Sequence, residues 1–361
     1  MPPTSWTTDP TPRPMSDPRC VAILAPNWLG DAVMALPAMA DVRRRFPSAR
    51  IVVAARRSVA DLFRLVAFVD EVINQDVEAL RASHADVALL LPNSFASAWL
   101  VRRAGIAERW GYATDWRGWL LTRAIPRPKR RLHQGAYYQH LVRALGIEAL
   151  GIEARPLEPA LTIPDSAVTS ARELLASRGW NGQRPLVVLA PGAAYGTAKR
   201  WIPAHVSRLI NDLVRQGRTC VLVGSRGDAL TTRGIRDAVD DTNRAQVIDV
   251  SGETSLEMLA ATLSIAHGCV ANDSGAMHLA AAVGTPLVAL FGPTREGETA
   301  PLTRSGGRAE VLTHPVWCRP CMLRECPIDH RCMTGIDPAR VLVSLTRLLG
   351  SGPSEELAKG V

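Results

Sequence analysis

Residues 269–294 read CVANDSGAMHLAAAVGTPLVALFGPT. A short apolar run ends at Asn-Asp-Ser-Gly. An Ala-rich stretch of helical length follows, and a Gly-Thr-Pro turn leads into a second apolar run. Strand, turn, helix, turn and strand make a βαβ unit, and strands without polar alternation belong to a parallel sheet covered on both faces. The spacing predicts a helix starting near Ala276, with its free N–H groups turned toward an anion. Ser274 and Gly275 are then placed to cradle a diphosphate, and Asp273 to bind sugar hydroxyls. His278 falls on the first helical turn, where it either faces the same site or is a satisfied structural histidine.

The same cycle recurs on the N-terminal side. PLVVLAPG (185–192), TCVLVGS (219–225) and AQVIDVSG (245–252) are strand-then-turn units, with helices expected over 203–216, 227–239 and 255–266. An earlier set comprises CVAILAP (20–26), ARIVVAA (49–55), VDEVIN (69–74) and ADVALLLPN (85–93). Two consecutive sets imply an α/β protein with two doubly wound sheets. The split falls near 150–168, where GIEARPLEPALTIPDS is rich in proline. Ligands of such sheets bind at the carboxyl ends of the strands, and a cleft between two of them is the expected active site.

Composition narrows the class. The chain has 361 residues, 47% hydrophobic and 21% charged, which fits two globular domains and excludes a disordered or fibrous protein. No apolar run reaches the roughly 18 residues of a membrane helix. The net charge of +8 favours an acidic partner. Only three of the 42 basic residues are lysines (Lys129, Lys199 and Lys359), so a retained lysine is informative where a compact point charge is needed. The first 18 residues hold six prolines and no apolar core, so they read as a disordered leader, with Met15 as an alternative first residue. The lack of an export signal and of paired cysteines predicts a cytoplasmic protein.

Four further stretches carry chemistry. In APNWLGDAVMALPA (25–38), Asp31 opens a helix, as a cap for its N–H groups or as a general base facing the cleft. In APGAAYGTAKRW (190–201), Gly192 lets the backbone approach phosphates, Tyr195 and Thr197 offer hydrogen bonds, and Lys199 suits a phosphate contact. In VGSRGD (223–228), Asp228 takes ribose hydroxyls or caps a helix. Neither GxGxxG nor GxxxxGK[ST] occurs, so the common dinucleotide and P-loop readings fail. Cys318, Cys321, Cys326 and Cys332 are spaced C-x2-C-x4-C-x5-C, the remaining motif, for zinc, an iron–sulfur cluster or reduced thiols shaping a loop.

Segment 102–143 carries ten basic residues (Arg102, Arg103, Arg109, Arg117, Arg123, Arg127, Lys129, Arg130, Arg131, Arg143) against Glu108 and Asp115. Tryptophans 99, 110, 116 and 119 interleave. An anionic lipid or phosphorylated glycolipid fits this pattern. Nucleic acid is the other reading, although no nucleic-acid module pattern matches.

PNWLGDAVMALPA, PGAAYGTAKRW and NDSGAMHLAAAVGTPLVALFGPT together resemble the ADP-heptose:lipopolysaccharide heptosyltransferases of glycosyltransferase family 9. The late CRPCMLRECPIDHRCM segment is similar to the heptosyltransferase II branch. The likeness covers roughly residues 19–350. It implies a GT-B fold, two Rossmann-like domains facing across a cleft: residues 19–165 for the acceptor and 166–335 for ADP-heptose, then a helix and tail over 336–361. It implies transfer of L-glycero-D-manno-heptose from ADP-heptose to the first heptose of the Kdo–lipid A inner core, with inversion and no required cofactor or divalent metal. By position in the motifs, Asp31 is the base on the acceptor hydroxyl and Lys199 neutralises the departing diphosphate. Asp273 holds the heptose, Ser274 and Gly275 the phosphates, Asp228 the ribose, and His278 matches the family histidine. The basic segment then meets a lipopolysaccharide acceptor at the cytoplasmic face of the inner membrane.

Rival readings are heptosyltransferase I or another inner-core heptosyltransferase, a nucleotide-sugar 2-epimerase, and a non-catalytic binder of nucleotide or anionic glycolipid. Retention of both Asp31 and Lys199 speaks against the last.

Overall fold

The computed structural model describes residues 17–146 and 157–350. Nearly all of the expected leader, and the end of the C-terminal tail, lie outside the described residues. Two all-parallel six-stranded sheets are present. The first holds β1 (Cys20–Leu24), β2 (Arg50–Ala55), β3 (Glu71–Asn74), β4 (Val87–Leu90), β5 (Glu108–Tyr112) and β6 (Arg123–Ile125) in the order β3-β2-β1-β4-β5-β6. The second holds β7 (Leu186–Ala190), β8 (Thr219–Leu222), β9 (Val247–Asp249), β10 (Gly268–Asn272), β11 (Leu287–Phe291) and β12 (Ala309–Thr313) in the order β12-β11-β10-β7-β8-β9. Counted within its own half, each sheet has the order 3-2-1-4-5-6. The strand order therefore reverses between β1 and β4 and again between β7 and β10, where an open α/β sheet binds its ligands.

The central strands are buried because helices cover both of their faces. Ile23 lies in register with Val53 and Leu89, and Val270 with Leu189 and Val288. Each such side chain contributes about 1.5–3 kcal/mol by leaving water.

Two helices link the halves. The helix Leu29–Arg45 follows β1, and its residues 32–39 are all buried, including Pro37. Arg43, Arg44 and Arg45 in its last turn complement the helix dipole. The helix Gly275–Val283 follows β10, carries no charge and is buried from Met277 to Val283. These helices pack against each other, so the two switch points face one another. Glycine permits the contact: a Cβ on Gly30 would meet His278 Cδ2 at 2.7 Å, and one on Gly275 would meet Leu29 Cβ at 2.8 Å. Further out, His133 Nε2 is 2.9 Å from Ala300 O, and Arg131 pairs with Glu298 at 2.9 Å.

Three strands are absent from the sequence expectation: β5, β6 and β12. Segment 102–143 is not one basic face, because it contains β5, β6 and the helix Gln134–Ala144, and several of its arginines serve the fold. Arg117 is fully buried, Arg109 binds the carbonyls of Ile106, Ala107 and Leu120, and Arg123 stacks over Trp110 at 5.0 Å.

Candidate active site at the facing switch points

Asp31 lies in the first turn of the helix after β1. Burial pushes its carboxyl up to about 6 from 3.8, with Lys199 drawing it down and Asp273 pushing it further up. These influences bring together one helix start in the first half and two strand-end loops in the second.

Lys199 ends the 3-10 turn Thr197–Lys199 in the loop after β7. Its Nζ donates to Asp273 Oδ2 at 2.6 Å and lies 4.8 Å from the Tyr195 ring centre. Asp273 is buried just beyond β10, and the same Oδ2 accepts from Thr294 Oγ1 at 2.6 Å. Asn272 closes the lysine loop at both ends. Its side-chain amide donates to Pro191 O at 2.6 Å, and its Oδ1 accepts from the Trp201 amide at 3.2 Å. Thr294 and Asn272 were not singled out in the sequence, although Asn272 adjoins Asp273 in the strongest motif.

Ser274 is the residue before the Gly275–Val283 helix, yet its side chain makes no capping hydrogen bond. Its Oγ is buried without a protein partner, as are His278 Nδ1 and Asn27 Oδ1. Buried polar atoms are nearly always paired, so the unpaired Ser274 Oγ at this helix start and His278 Nδ1 in its first turn are polar groups suited to an anionic ligand. Burial drives His278 down to about 4 from 6.5 and keeps its imidazole neutral. The histidine is thus both a packing partner of Gly30 and an orphaned polar group at the site.

Asp228 is not itself a capping side chain for the helix Ala229–Asp237; Ser225 caps the turn Arg226–Asp228, and Asp228 closes that capping box. Oδ2 accepts from Ser225 N at 3.0 Å and from Ser225 Oγ at 2.7 Å, and Arg200 reaches Oδ1 at 3.3 Å. Gly192 lies directly against this carboxylate, since a Cβ there would stand 2.6 Å from Asp228 Cγ. Thr197 is exposed at the mouth of the loop. Tyr195 is half-buried, and its hydroxyl donates to Met322 O at 3.0 Å. Trp28, unremarked in the sequence, is exposed one residue before the Asp31 helix.

The cysteine segment braces the lysine loop. Ala198 N donates to Arg324 O at 3.0 Å, and no side chain fits at Gly196, where a Cβ would collide with the Arg324 carbonyl. Cys318, Cys321, Cys326 and Cys332 line one cavity of about 20 Å³ with Ala198 and Pro293. All four are free thiols. Among the described residues no three or more His, Cys, Asp or Glu side chains are grouped to hold a metal ion, so the zinc and iron–sulfur readings of these cysteines gain no support. Also among the described residues, no helix is long and apolar enough to cross a membrane.

Comparison with known proteins agrees with this geometry. Residues 74–331 match the model of glycosyltransferase family 9 (heptosyltransferase). The chain is 30% identical over 352 residues to lipopolysaccharide heptosyltransferase 2 of Salmonella typhimurium, covering 91% of this chain and 98% of that protein. Its structure resembles that of Escherichia coli ADP-heptose lps heptosyltransferase II, with a TM-score of 0.80, 29% identity, and coverage of 91% of this chain and 98% of that one. A family 9 glycosyltransferase structure from Veillonella parvula shares the fold, with a TM-score of 0.78 at 18% identity, covering 92% of this chain and 98% of that one. On the family match and on this extent of shared sequence, the chain belongs to glycosyltransferase family 9, the heptosyltransferases.

Proposed function

We propose that this glycosyltransferase moves L-glycero-D-manno-heptose from ADP-heptose to the first heptose of the Kdo–lipid A inner core. The observation that carries the reading is the meeting of Asp31 from one switch point with Lys199 and Asp273 from the other. Residues 19–165 then form the acceptor side and 166–335 the donor side.

An inverting transfer is one displacement. The acceptor hydroxyl oxygen attacks the anomeric carbon as the bond from that carbon to the diphosphate breaks. The hydroxyl proton passes to Asp31, and ADP departs with the bonding electrons. A base whose pKa is raised to about 6 is ionised at neutral pH yet basic enough to take a proton during the attack. Negative charge grows on the leaving diphosphate, and groups fixed in advance stabilise it most effectively. Lys199, the free N–H groups of the Gly275–Val283 helix and the orphaned Ser274 hydroxyl are suited to that role. Gly192 gives the donor close access to the backbone. Asp273 holds Lys199 before the donor arrives and takes heptose hydroxyls afterwards. Asp228 reaches the ribose through Oδ1, while Thr197 and Tyr195 edge the pocket. His278 acts as a neutral hydrogen-bonding group. The acceptor is an anionic lipopolysaccharide precursor met at the cytoplasmic face of the inner membrane, by the exposed Arg127, Lys129 and Arg130 of segment 102–143.

The test is a transfer assay with ADP-heptose and two acceptors, Kdo–lipid A and heptosyl-Kdo–lipid A. ADP release with the second acceptor alone is expected. Release with the first alone reassigns the acceptor to that of heptosyltransferase I. Release with neither, despite donor binding, overturns the reading.

A further inference from the structure

An exposed aromatic patch sits beyond β4 and β5, at the carboxyl edge of the first sheet. Phe95 and Trp99 begin the helix Phe95–Ala104, which follows β4. Trp116 and Trp119 lie in the segment after β5. Phe95 stacks on Trp99 with ring centres 6.4 Å apart, and Trp119 stands 6.3 Å from Phe95. Their exposures are 37% for Phe95, 44% for Trp99, 92% for Trp116 and 65% for Trp119. Contiguous aromatic exposure of this kind marks an interaction surface in a water-exposed protein.

The patch is built rather than loose. The fully buried Arg117 lies under it. Its Nε donates to Tyr112 O at 2.9 Å, and its Nη1 donates to Pro92 O, to Ser94 O at 3.2 Å and to Ser97 Oγ at 2.8 Å. The Phe95 amide donates to Asp115 Oδ2 at 2.6 Å, and Thr114 Oγ1 donates to Asn93 O at 2.8 Å. Asp115 and Trp116 hold φ values of +50° and +56°, a left-handed pair that costs roughly 1–2 kcal/mol per residue. Those hydrogen bonds offset the cost and keep the Trp116 indole pointing outward.

Charge selects the partner. Arg102 lies over Trp119 at 5.8 Å, and Arg102 and Arg103 are exposed on the same helix. Arg127, Lys129 and Arg130 are exposed in the following segment. Two acids lie in the same stretch, Asp115 bonded to the Phe95 amide and Glu108 to Trp110 Nε1 at 3.1 Å and Thr122 Oγ1 at 2.9 Å; both keep their charge, and the five exposed cations outnumber them. Indoles with cations alongside suit the interface of a bilayer, where rings sit at headgroup level and each cation adds about 1 kcal/mol near anionic lipid.

We propose that Phe95, Trp99, Trp116 and Trp119, flanked by Arg102 and Arg103, dock on the headgroup interface of an anionic lipid bilayer. This deepens the proposed function by naming the surface that carries the enzyme to a lipid-linked acceptor, and it rests on that reading only for its purpose. The tilted rings and the outward Trp116 make a wedge rather than a flat platform for one sugar ring.

The full chain is sedimented with vesicles of phosphatidylglycerol and phosphatidylethanolamine, and with vesicles of phosphatidylcholine alone. Binding to the anionic vesicles should be at least tenfold tighter and should weaken with salt. Trp116→Ser with Trp119→Ser should lose at least tenfold of that binding, and Arg102→Ser with Arg103→Ser should remove the anionic preference. Turnover of a delipidated, water-soluble acceptor and the melting temperature should both stay at parent values in the tryptophan variant. Unchanged vesicle binding in that variant overturns the proposal. Lost turnover on the water-soluble acceptor would instead make the patch a saccharide platform, and also overturns it. Vesicle binding needs no transfer, so a failed acceptor assay leaves this result standing.

Discussion

Gly30 packs against the imidazole of His278, so a hydrogen atom is all the room that the two halves leave between their facing helices. The contact sets how close Asp31, the next residue, comes to the groups after β10. Gly30→Ala would place a methyl carbon 2.7 Å from His278 Cδ2, too near for any real Cβ. The imidazole is buried, so relief has to come from a shift of one helix start against the other. We expect transfer to fall at least tenfold while circular dichroism and ADP binding stay near parent values. A variant with parent kinetics would show that the contact does not position the base.

The pH dependence has two parts of opposite sign. Asp31 binds its proton more tightly folded than unfolded, because burial raises its pKa from 3.8 to about 6. Its contribution therefore destabilises the fold increasingly as pH rises through that window, by about 3 kcal/mol at pH 7. His278 is depressed from 6.5 to about 4, again by burial, so its contribution is lost as pH falls through that interval. Between pH 4 and 6 the two slopes largely cancel. Asp31→Asn removes one of them. Urea midpoints should show this variant more stable than the parent at pH 7 and equal to it near pH 4. Transfer by the parent should rise with pH toward a plateau above about 6, and the variant should lose 10²–10⁴-fold. Equal stability at pH 7 would contradict the buried, ionised carboxylate.

Lys199 and Asp273 form a short ion pair, 2.6 Å, in which both side chains are largely buried. Removing one partner strands the other charge, a cost of about 3–5 kcal/mol for a buried pair. Lys199→Met should therefore weaken ADP-heptose binding and slow transfer together, and it should also lower the melting temperature. Lys199→Arg should not restore the rate, because a planar guanidinium does not fit where Thr294 already shares the same carboxylate oxygen. Calorimetry with ADP and steady-state rates decide this, and an arginine variant at parent rate would remove the geometric argument.

Much of this was legible in the sequence, for physical reasons. Strands buried on both faces are continuous apolar runs, so β1, β2, β7, β10 and β11 stand out. Glu108–Tyr112, Arg123–Ile125 and Ala309–Thr313 do not, because strands toward the sheet edges tolerate charge and lack that signal. Asp31, Lys199 and Asp273 were visible as unusual residues just after apolar strands. What no sequence period conveys is which side chains a loop ties inward. The ten basic residues of 102–143 look equivalent until Arg109, Arg117 and Arg123 are seen spent on carbonyls and rings. Asp228 likewise carried two readings, and the N-cap turned out to be Ser225, with Asp228 as the partner that closes its capping box.

The cysteine segment gives the last prediction. Its backbone at Arg324 receives the Ala198 amide at 3.0 Å and leaves Gly196 no space for a side chain. The same loop carries Lys199, so a displacement at Gly196 reaches the ammonium three residues later. Gly196 itself has extended backbone, φ 161°, which alanine can adopt. Any effect of Gly196→Ala therefore comes from collision with Arg324 rather than from backbone strain. The loop is clamped at Pro191 and Trp201 by Asn272, so the collision should move its middle and spare its ends. ADP-heptose binding should weaken about tenfold or more, with the melting temperature nearly unchanged. Alkylation of the exposed Cys321 should weaken binding in the same direction, since that thiol lines the cavity against Ala198. Parent affinity in both cases would mean that the segment merely covers the loop and does not hold Lys199 in place.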